Sequence, residues 1–441
     1  MRYFLDPFGC VKNQVDAENM MHRLEKAGWE NTSAEEADLI IINSCGFIES
    51  AKKESIDAVL EWRGIYPEKK ILLAGCLAQR YAKELADSLP EADGFFGLEN
   101  IERITQAAAE TLNISASESA NAVSFQAGER PLLSLPGSAY VKISEGCSNC
   151  CSFCAIPLIR GKLVSREIPD IVDECRTLVK RGITELCIIG QDTGAFGTDV
   201  SAASKLPELL EAISTIEGRF WVRLLYIHPD HFPPRILDLM EKDTRFLPYF
   251  DIPFQHASPK ILLAMNRRSN AQQYLELLKT IRGRLPNAVI RSTFLLGFPG
   301  ETEDDFSQLL DFQEKASLDW LGCFTYSREE GTPSYSMKEQ VPKKTAVMRR
   351  KIIEKRQIPI TEKNMERFTG QILEILIEEQ IDSVTGEEKF LLGRLYCQAP
   401  EIEGSAVIVG AQTAGINPRL GNLTQCKVIA RRGFDLEVRL L

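Results

Sequence analysis

The sequence predicts an α/β protein in three parts: an N-terminal doubly wound parallel sheet, a central partial (βα) barrel and a small C-terminal β-barrel. Short apolar runs alternate with amphipathic stretches over residues 1–115, and six strand-like runs separated by helical stretches follow over residues 133–366. Five short runs with turns between them then fill residues 368–441. These patterns are typical of βα repeats in the first two parts and of a small barrel in the third.

The composition is that of an ordinary globular protein, with 44% hydrophobic and 26% charged residues. The first residues, MRYFLDPFGC, lack a basic leader followed by an apolar stretch, and no apolar run approaches the length of a membrane span. We therefore expect a cytoplasmic protein without a membrane partner. The net charge of -10 argues against nucleic acid as the main partner and favours a basic protein.

The first part has the pattern βαβαβα, and each of its three strands is followed by or ends in a cysteine. The strands are RYFLDPFG, DLIIINSC and KKILLAGC, and the cysteines are Cys10, Cys45 and Cys76. Because the cysteines are one βα repeat apart, they are expected at the carboxyl edge of the sheet, where open α/β folds bind ligands. We interpret them as a three-cysteine cluster site, and the alternative is three unrelated half-buried cysteines. Residues 111–135, rich in Ser, Ala and Gly, predict a linker with a domain boundary near residue 130.

The densest cysteine motif follows the first strand of the central part. Cys147, Cys151 and Cys154 form CxxxCxxC, and Cys150 is interpreted as a neighbour that is not a ligand. Three thiolates at this spacing can bind a 4Fe-4S cluster and leave one iron without a protein ligand. Zinc is the competing metal, but zinc sites usually have four protein ligands in two separated pairs, and no partner pair follows. Disulfides are disfavoured because they need an oxidising compartment.

CxxxCxxC followed by an aromatic-containing loop resembles the radical S-adenosylmethionine superfamily. In that superfamily the open iron chelates the cofactor, and an electron then cleaves it to give a carbon radical. The motifs FGCVKNQVDAE, NSCGFIESAKKES and AGCLAQRY resemble the N-terminal domain of the methylthiotransferase family. This resemblance implies that Cys10, Cys45 and Cys76 hold an auxiliary 4Fe-4S cluster, and that the central part is a barrel of the radical S-adenosylmethionine type.

Polar residues follow the strands of the central part, at the ends where (βα) barrels collect their chemistry. Gln191 and Asp192 follow the second strand and Arg291 lies in the fifth, and we expect these three residues to contact the cofactor. For Arg291 the expected contact is with the cofactor carboxylate, and an internal salt bridge is the alternative. His256 is interpreted as a structural residue, and loop 297–301 as either a binding loop or a turn. The sequence identifies no catalytic side chain.

The C-terminal part is preceded by a charged segment, residues 342–368, that predicts a long helix or a helix pair with a solvated face. Residues 368–441 resemble the TRAM domain that ends methylthiotransferases, and such barrels often bind RNA. Here they contain ten acidic and seven basic residues, so any RNA contact is expected to be secondary. Glu401 and Glu403, in QAPEIEG, are predicted to contact a basic substrate.

All three parts resemble the methylthiotransferase family in order and motif. GCVKNQVDAE, CGFIESAKKES, GQDTGAFG and GRLYCQAPEIEG are similar to the branch that modifies a ribosomal protein. The sister branch, which thiomethylates an adenosine of transfer RNA, typically has methionine where Lys12 stands. The chain departs from the usual pattern of its branch at GQDTG and by the extra Cys150.

The resemblance implies a specific reaction: a methylthio group is inserted at the β-carbon of an aspartate in small-subunit ribosomal protein twelve, free or in the ribosome. It also implies two 4Fe-4S clusters, two S-adenosylmethionine molecules per turnover and an electron donor such as flavodoxin or ferredoxin. Two alternatives stay open. The chain could modify isopentenyladenosine or threonylcarbamoyladenosine of transfer RNA, or it could be a non-catalytic iron-sulfur redox sensor, which would need no cofactor pocket.

Overall fold

The computed structural model describes residues 1–114, 126–382, 389–410 and 419–441. Within these ranges the α-helices are α1 (Val11–Lys26), α2 (Glu49–Ile65), α3 (Cys76–Ser88), α4 (Ile104–Thr111), α5 (Ile156–Arg160), α6 (Ile168–Lys180), α7 (Leu206–Ser214), α8 (Ile236–Met240), α9 (Pro259–Ala264), α10 (Ala271–Arg284), α11 (Glu303–Ala316) and α12 (Lys343–Glu366). The strands are β1 (Arg2–Pro7), β2 (Glu30–Asn31), β3 (Leu39–Ser44), β4 (Lys70–Gly75), β5 (Gly94–Phe96), β6 (Ser138–Lys142), β7 (Ser144–Glu145), β8 (Val164–Ser165), β9 (Glu185–Ile189), β10 (Trp221–Leu224), β11 (Phe246–Asp251), β12 (Val289–Leu296), β13 (Trp320–Thr325), β14 (Ile372–Asp382), β15 (Lys389–Leu395), β16 (Ala406–Ile408), β17 (Leu423–Arg432) and β18 (Asp435–Leu440).

The N-terminal part is a parallel sheet in the order β2-β1-β3-β4-β5 with helices on both faces, as predicted. Helices α1 and α4 cover one face, where Met20 and Ile104 pack against the sheet. Helices α2 and α3 cover the other, where Val59 and Leu77 are buried. Strand β3 is therefore apolar on both faces, which is the pattern of a central parallel strand. The short edge strands β2 and β5 were not predicted.

The central part is a six-stranded parallel sheet in the order β13-β12-β11-β10-β9-β6. All six predicted strands form, and neighbours in sequence are neighbours in the sheet, which confirms the partial (βα) barrel. Along each strand of this sheet, successive side chains point to opposite faces and belong to two different hydrophobic cores. One face, with Leu186 and Val222, packs against the surrounding helices, whereas the inner face, with Tyr140 and Trp320, packs against the C-terminal part.

The C-terminal part is a closed five-stranded barrel in the order β14-β15-β16-β18-β17, as predicted. It covers the amino ends of the central strands. Trp320 donates its indole Nε1–H to the Cys397 carbonyl over 2.7 Å, and Arg394 pairs with Glu185 at the start of β9. Near the carboxyl ends of these strands, Tyr226 after β10 contacts Lys12 of α1, and Lys142 at the end of β6 pairs with Asp16 of α1.

The N-terminal part docks on the central part through buried and partly buried ion pairs. Arg130 lies between Glu18 of α1, at 2.9 Å, and Glu174 of α6, at 2.5 Å. A second contact joins Lys52 and Arg80 to Glu329, each over 2.8 Å. Buried pairs of this kind are strongly destabilised when one partner is removed, so they fix the docking geometry.

The predicted linker is only partly within the described residues, because 115–125 lie outside them. Helix α4 reaches Thr111, a short 3-10 helix spans Ala127–Glu129, and Arg130 is completely buried. The last described part of the predicted linker is therefore packed, because Arg130 pairs with Glu18 of α1 and Glu174 of α6. The charged segment forms one helix, α12, with Pro359 inside it. In the described part of the chain no helix has the length and apolar composition needed to cross a membrane.

Candidate active site

The cysteines of the N-terminal part meet at the carboxyl edge of the sheet, as predicted. Cys10 precedes α1 as its N-cap, Cys45 follows β3, and Cys76 is the first residue of α3 after β4. Cys10 is exposed, whereas Cys45 and Cys76 are buried. Burial raises the pKa of Cys76 to about 12. A thiol of this kind stays protonated at neutral pH unless a metal takes the place of the proton.

Two glycines let the three cysteine loops approach one another. Gly9 has φ +90°, and a Cβ there would lie 2.9 Å from Cβ of Cys45. A Cβ on Gly46 would lie 2.7 Å from the carbonyl oxygen of Cys76. Only glycine leaves room for both approaches, and only glycine adopts the Gly9 conformation at little cost.

The second cysteine set lies on the loop between β7 and α5, at the carboxyl ends of the central strands. Cys147, Cys151 and Cys154 line one cleft of about 480 Å³, together with Lys162 and residues 331–333. Cys150 is exposed, and its sulfur lies 3.7 Å from the Ser148 carbonyl oxygen. Burial raises the pKa of Cys147 to about 11 and that of Cys154 to about 12. The cleft leaves space beside the cysteines for a ligand.

The spacing of the sulfur atoms bears on which metal group fits. In neither set do all three sulfur atoms lie within 4.8 Å of one another. In a tetrahedral zinc site, Zn–S bonds of about 2.3 Å hold two sulfur atoms about 3.8 Å apart. Both sets are wider than that, and within the described residues neither has a fourth His, Cys, Asp or Glu close enough to complete such a site. The residues present therefore fit the larger 4Fe-4S cluster.

Asp192 ties the CxxxCxxC loop to the barrel. Its carboxylate accepts hydrogen bonds from Asn149 Nδ2, at 2.8 Å, and from the backbone N–H of His228, at 3.1 Å, and lies 2.6 Å from His231 Nδ1. Both carboxylate oxygens of Asp192 therefore have partners inside the protein. Gln191 differs, because its buried Oε1 has no hydrogen-bond partner in the described structure. Of the two residues, Gln191 is the one with an unused acceptor.

Arg291 lies on the inner face of the barrel and is held by two carboxylates. Its Nη1 is 3.0 Å from Asp251, and its Nε is 3.5 Å from Glu403. The internal salt bridge that was the alternative interpretation is thus present. Contact of Gln191, Asp192 and Arg291 with a cofactor stays a prediction.

The prediction that Glu403 contacts a substrate at the surface is wrong. Its side chain is 2% exposed and accepts hydrogen bonds from the Tyr249 hydroxyl and the Ala399 N–H, each at 2.6 Å. Burial raises the pKa of Glu403 to about 7, although Arg291 and Tyr249 oppose the shift. The QAPEIEG loop inserts this carboxyl group into the amino end of the barrel, and only Glu401 remains at the surface.

The structure also shows the surroundings of His256 and of loop 297–301. His256 is fully buried, and its Nδ1 accepts the Ser258 N–H over 3.0 Å, which agrees with a structural role. In loop 297–301 the N–H groups of Gly297 and Phe298 donate to Glu301, over 2.6 and 3.2 Å. Because the loop satisfies its own donors, it is a turn rather than an open anion site.

The sheet edges that carry the two cysteine sets face each other, and the side chain of Arg160 forms hydrogen bonds to residues of both parts. Its Nη2 donates to the sulfur of Cys76 over 3.2 Å and to Asp16 over 2.8 Å, while its Nη1 donates to Glu145 over 2.8 Å. The side chain is 1% exposed. Arg160 lies six residues after Cys154, so one buried guanidinium connects the two predicted cluster sites.

Sequence reasoning missed Arg160 and gave Lys12 no structural role. Lys12 is buried, with its Nζ 2.8 Å from the ring centroid of Tyr226, and burial lowers its pKa to about 8. The nearness of each residue to a cysteine motif was the available signal. It was insufficient because the partners that matter most, Cys76 and Asp16 for Arg160 and Tyr226 for Lys12, lie more than 80 residues away in sequence.

Three family models match successive parts of the chain. Residues 2–97 match the uncharacterized protein family UPF0004, residues 141–312 the radical SAM superfamily, and residues 369–441 the TRAM domain. Their order is that of the three parts of the fold. The radical SAM match spans β9 to β12 of the central sheet and ends before β13.

Curated relatives match over nearly the whole chain. The chain is 47% identical to the ribosomal protein uS12 methylthiotransferase RimO of Treponema denticola, over 98% of this chain and 99% of the relative. It is 39% identical to the protein of the same name from Syntrophomonas wolfei, over 97% of each. Among solved structures, the radical S-adenosylmethionine methyltransferase TsrM from Kitasatospora setae is similar in fold, with a TM-score of 0.54, 14% identity and 76% of each chain covered.

Proposed function

This chain belongs to the family of ribosomal protein uS12 methylthiotransferases named RimO, and on that premise we propose that it adds a methylthio group to the β-carbon of an aspartate of uS12. The observation that carries the proposal is the pair of three-cysteine sets on facing edges of two parts of the fold, joined by Arg160. A reaction that brings a radical and a sulfur donor to one carbon needs two such sites close together.

The proposed cofactors are two 4Fe-4S clusters and S-adenosylmethionine. Cys147, Cys151 and Cys154 would hold one cluster, and Cys10, Cys45 and Cys76 the auxiliary one. When bound, these groups supply the electron that cleaves S-adenosylmethionine to an adenosyl radical, and the sulfur that is transferred. Three cysteines per set leave one iron of each cluster without a cysteine ligand.

The residues of the chain itself hold the parts of the site in place. Asp192 fixes Asn149, and with it the CxxxCxxC loop, against β9 and the His228 segment. Gln191 offers an unused carbonyl oxygen beside this loop, which supports the proposal that it contacts S-adenosylmethionine. For Arg291, the contact would require that the cofactor carboxylate compete with Asp251 and Glu403.

The choice of substrate is supported by charge. The C-terminal barrel carries ten acidic and seven basic residues, which disfavours a phosphate backbone and suits a basic ribosomal protein. Contact with RNA is then secondary. A flavodoxin or ferredoxin is the proposed electron donor, and a substrate of the ribosome implies action in the cytoplasm.

The decisive experiment offers both substrates to one enzyme preparation. Reconstituted protein, S-adenosylmethionine and a reductant are incubated without oxygen with uS12 and, separately, with transfer RNA. We expect a mass gain of one methylthio group on an aspartate of uS12 and an unchanged nucleoside profile. A thiomethylated adenosine with unmodified uS12 would overturn the proposal. Formation of 5'-deoxyadenosine excludes the redox-sensor alternative.

The assignment of the cysteines is tested by iron content. Two 4Fe-4S clusters correspond to about eight irons per chain. Replacing Cys147, Cys151 and Cys154 by Ala should remove about half of the iron and abolish 5'-deoxyadenosine formation. Replacing Cys10, Cys45 and Cys76 should remove the other half but leave some cleavage of the cofactor. Replacing Cys150 alone is the control and should leave the iron content unchanged.

A further inference from the structure

Lys12 is a buried cation without a carboxylate partner. The residue is 7% exposed, and among the described residues no carboxylate oxygen lies within 4.0 Å of its Nζ. Its close neighbour is the ring of Tyr226, whose centroid lies 2.8 Å from Nζ. A contact with an aromatic face compensates only part of the cost of removing an ammonium group from water.

The other buried cations of the described chain are all arginines, and each has at least one hydrogen-bond acceptor. Five arginines contact carboxylates and a sixth, Arg267, donates to the Pro253 carbonyl; the five are Arg130, Arg160, Arg223, Arg349 and Arg394. Buried charges are usually paired or hydrogen-bonded, and among these cations of the described chain Lys12 is the one that contacts an aromatic ring rather than an oxygen acceptor. An unpaired buried cation indicates a ligand that brings the missing negative charge.

Tyr226, whose ring contacts Lys12, has a strained backbone conformation. This residue has φ +62°, a conformation that side-chain-bearing residues rarely adopt. It is held there because its N–H donates to Asp251 over 3.2 Å and its carbonyl oxygen accepts the Thr193 N–H over 2.9 Å. Strain that is fixed by surrounding hydrogen bonds is common at ligand sites.

The location of Lys12 defines which ligand it can meet. It is the second residue of α1 and follows Cys10, the exposed member of the auxiliary set, by two positions. Asp251, the nearby acidic group, already pairs with Arg291 over 3.0 Å. The amino end of α1 adds further positive potential. An anion beside Cys10 would therefore find an unneutralised charge.

We propose that Lys12 binds the side-chain carboxylate of the target aspartate of uS12 and so holds its β-carbon beside the auxiliary cysteines. The inference rests on the proposed function. In aspartate the β-carbon is bonded directly to the carboxylate carbon, about 1.5 Å away, so a single charge-assisted hydrogen bond to the carboxylate fixes the reacting carbon closely. Lys12 then acts as a specificity-determining residue that distinguishes aspartate from asparagine.

The test compares two substrates and four enzymes by equilibrium binding without oxygen. The substrates are uS12 and its variant with asparagine at the target position, and the enzymes are wild type, Lys12→Met, Lys12→Arg and the control Lys26→Met. Lys26 ends the same helix and forms only an exposed pair with Glu129. Wild type and the control Lys26→Met should bind uS12 about tenfold or more tighter than they bind the asparagine variant of uS12. Lys12→Met should bind both forms equally, and Lys12→Arg should restore most of the preference.

Each other outcome has a defined meaning. If wild type discriminates and Lys12→Met discriminates equally, the role of Lys12 is overturned while the proposed function stands. If wild type neither binds nor modifies uS12, the proposed function fails, and this inference falls with it. A loss of affinity for S-adenosylmethionine in Lys12→Met, measured without uS12, would assign Lys12 to the cofactor carboxylate instead. If Lys12→Met loses iron, Lys12→Gln provides the same comparison.

Discussion

Gly9 shows how a single residue without a side chain shapes the auxiliary site. Its positive φ turns the chain from β1 into Cys10, and its bare Cα allows the Cys45 loop to approach. Gly28 has a similar φ of +83°, yet a Cβ there would meet nothing within 4 Å. The two glycines thus separate the effect of backbone strain from the effect of contact with a cysteine.

We predict that Gly9→Ala lowers the iron content of the reconstituted protein by up to about half, since the added methyl group pushes Cys45 away. Gly28→Ala should cost the same strain, about 1–2 kcal/mol of folding free energy, but retain the iron. Iron analysis and thermal unfolding of both variants provide the measurement. Equal iron loss in the two variants would show that strain alone, rather than the approach to Cys45, is responsible.

Glu403 gives a second residue-scale prediction, on pH dependence. Its pKa is about 7 in the folded protein, against an ordinary value of 4.5. Between these two values the folded state binds more protons than the unfolded state, so stability falls as the pH rises from about 4.5 to about 7. The full effect is about 3 kcal/mol.

Glu403→Gln removes this titration, while its amide oxygen can still accept the Tyr249 hydroxyl. The variant should therefore gain stability relative to wild type as the pH rises from 5 to 7, and the gain should level off above about pH 7. Thermal unfolding at a series of pH values measures the difference. The exposed Glu379→Gln on β14 is the control and should follow wild type. A constant difference between Glu403→Gln and wild type at all pH values would contradict the prediction.

At the scale of elements, helix α12 holds the turn that follows β12. Arg349 of this helix lies 2.8 Å from Glu301, and both side chains are almost fully buried. Glu301 in turn accepts the N–H groups of Gly297 and Phe298. Burial raises the pKa of Glu301, and Arg349 opposes that shift. Arg349 therefore offsets part of the desolvation cost of burying the Glu301 carboxylate after β12.

Arg349→Met should lower the free energy of unfolding by about 3 kcal/mol, because it leaves Glu301 buried without its partner. Adding Glu301→Gln should recover part of that loss, since the amide oxygen still accepts both backbone donors. Arg350→Met, the adjacent residue with a partly exposed partner in Glu354, is the control and should change stability little. Additive losses in the Arg349→Met, Glu301→Gln double variant would show that the two residues do not interact.

Elements with strong local patterns could be predicted from the sequence, whereas their mutual contacts could not. The inner strand β3 begins with an apolar run of four residues, and β12 is rich in branched and aromatic residues and is followed by Gly297, so both strands could be predicted from local composition. The burial of Glu403 does not, because QAPEIEG is polar and its partner Tyr249 is 154 residues away. Loop 297–301 closes through local bonds to Glu301, but the burial of Glu301 against Arg349, 48 residues later, could not be predicted from the loop sequence.

At the scale of the whole molecule, the two cysteine sets could be assigned to separate parts of the fold from their motifs alone. That these parts dock with the cysteines facing could be expected only from the resemblance. The docking itself rests on Arg160, Arg130 and Glu329, whose partners in the N-terminal part lie 84 to 277 residues away. No local pattern predicts such pairs, because each residue alone has the character of an ordinary surface charge.

Arg160 therefore provides the prediction for the molecule as a whole. Its planar guanidinium contacts Asp16, Glu145 and the sulfur of Cys76 together. A lysine keeps the charge but has a single nitrogen, so it cannot make all three contacts in the same geometry. Arg160→Lys should keep both iron sites but loosen their relative placement.

Misplacement of reacting groups by about 1 Å can lower a rate by about 10²-fold. We expect Arg160→Lys to form 5'-deoxyadenosine while the yield of methylthiolated uS12 per 5'-deoxyadenosine falls about tenfold or more. Both products are measured by mass spectrometry in one reaction, with iron analysis of the same sample. Arg176→Lys, a surface residue paired with Asp173, is the matched control and should retain the wild-type yield. An unchanged yield in Arg160→Lys would mean that the other buried pairs between the two parts, including Glu18–Arg130–Glu174, suffice to hold the two sites in register.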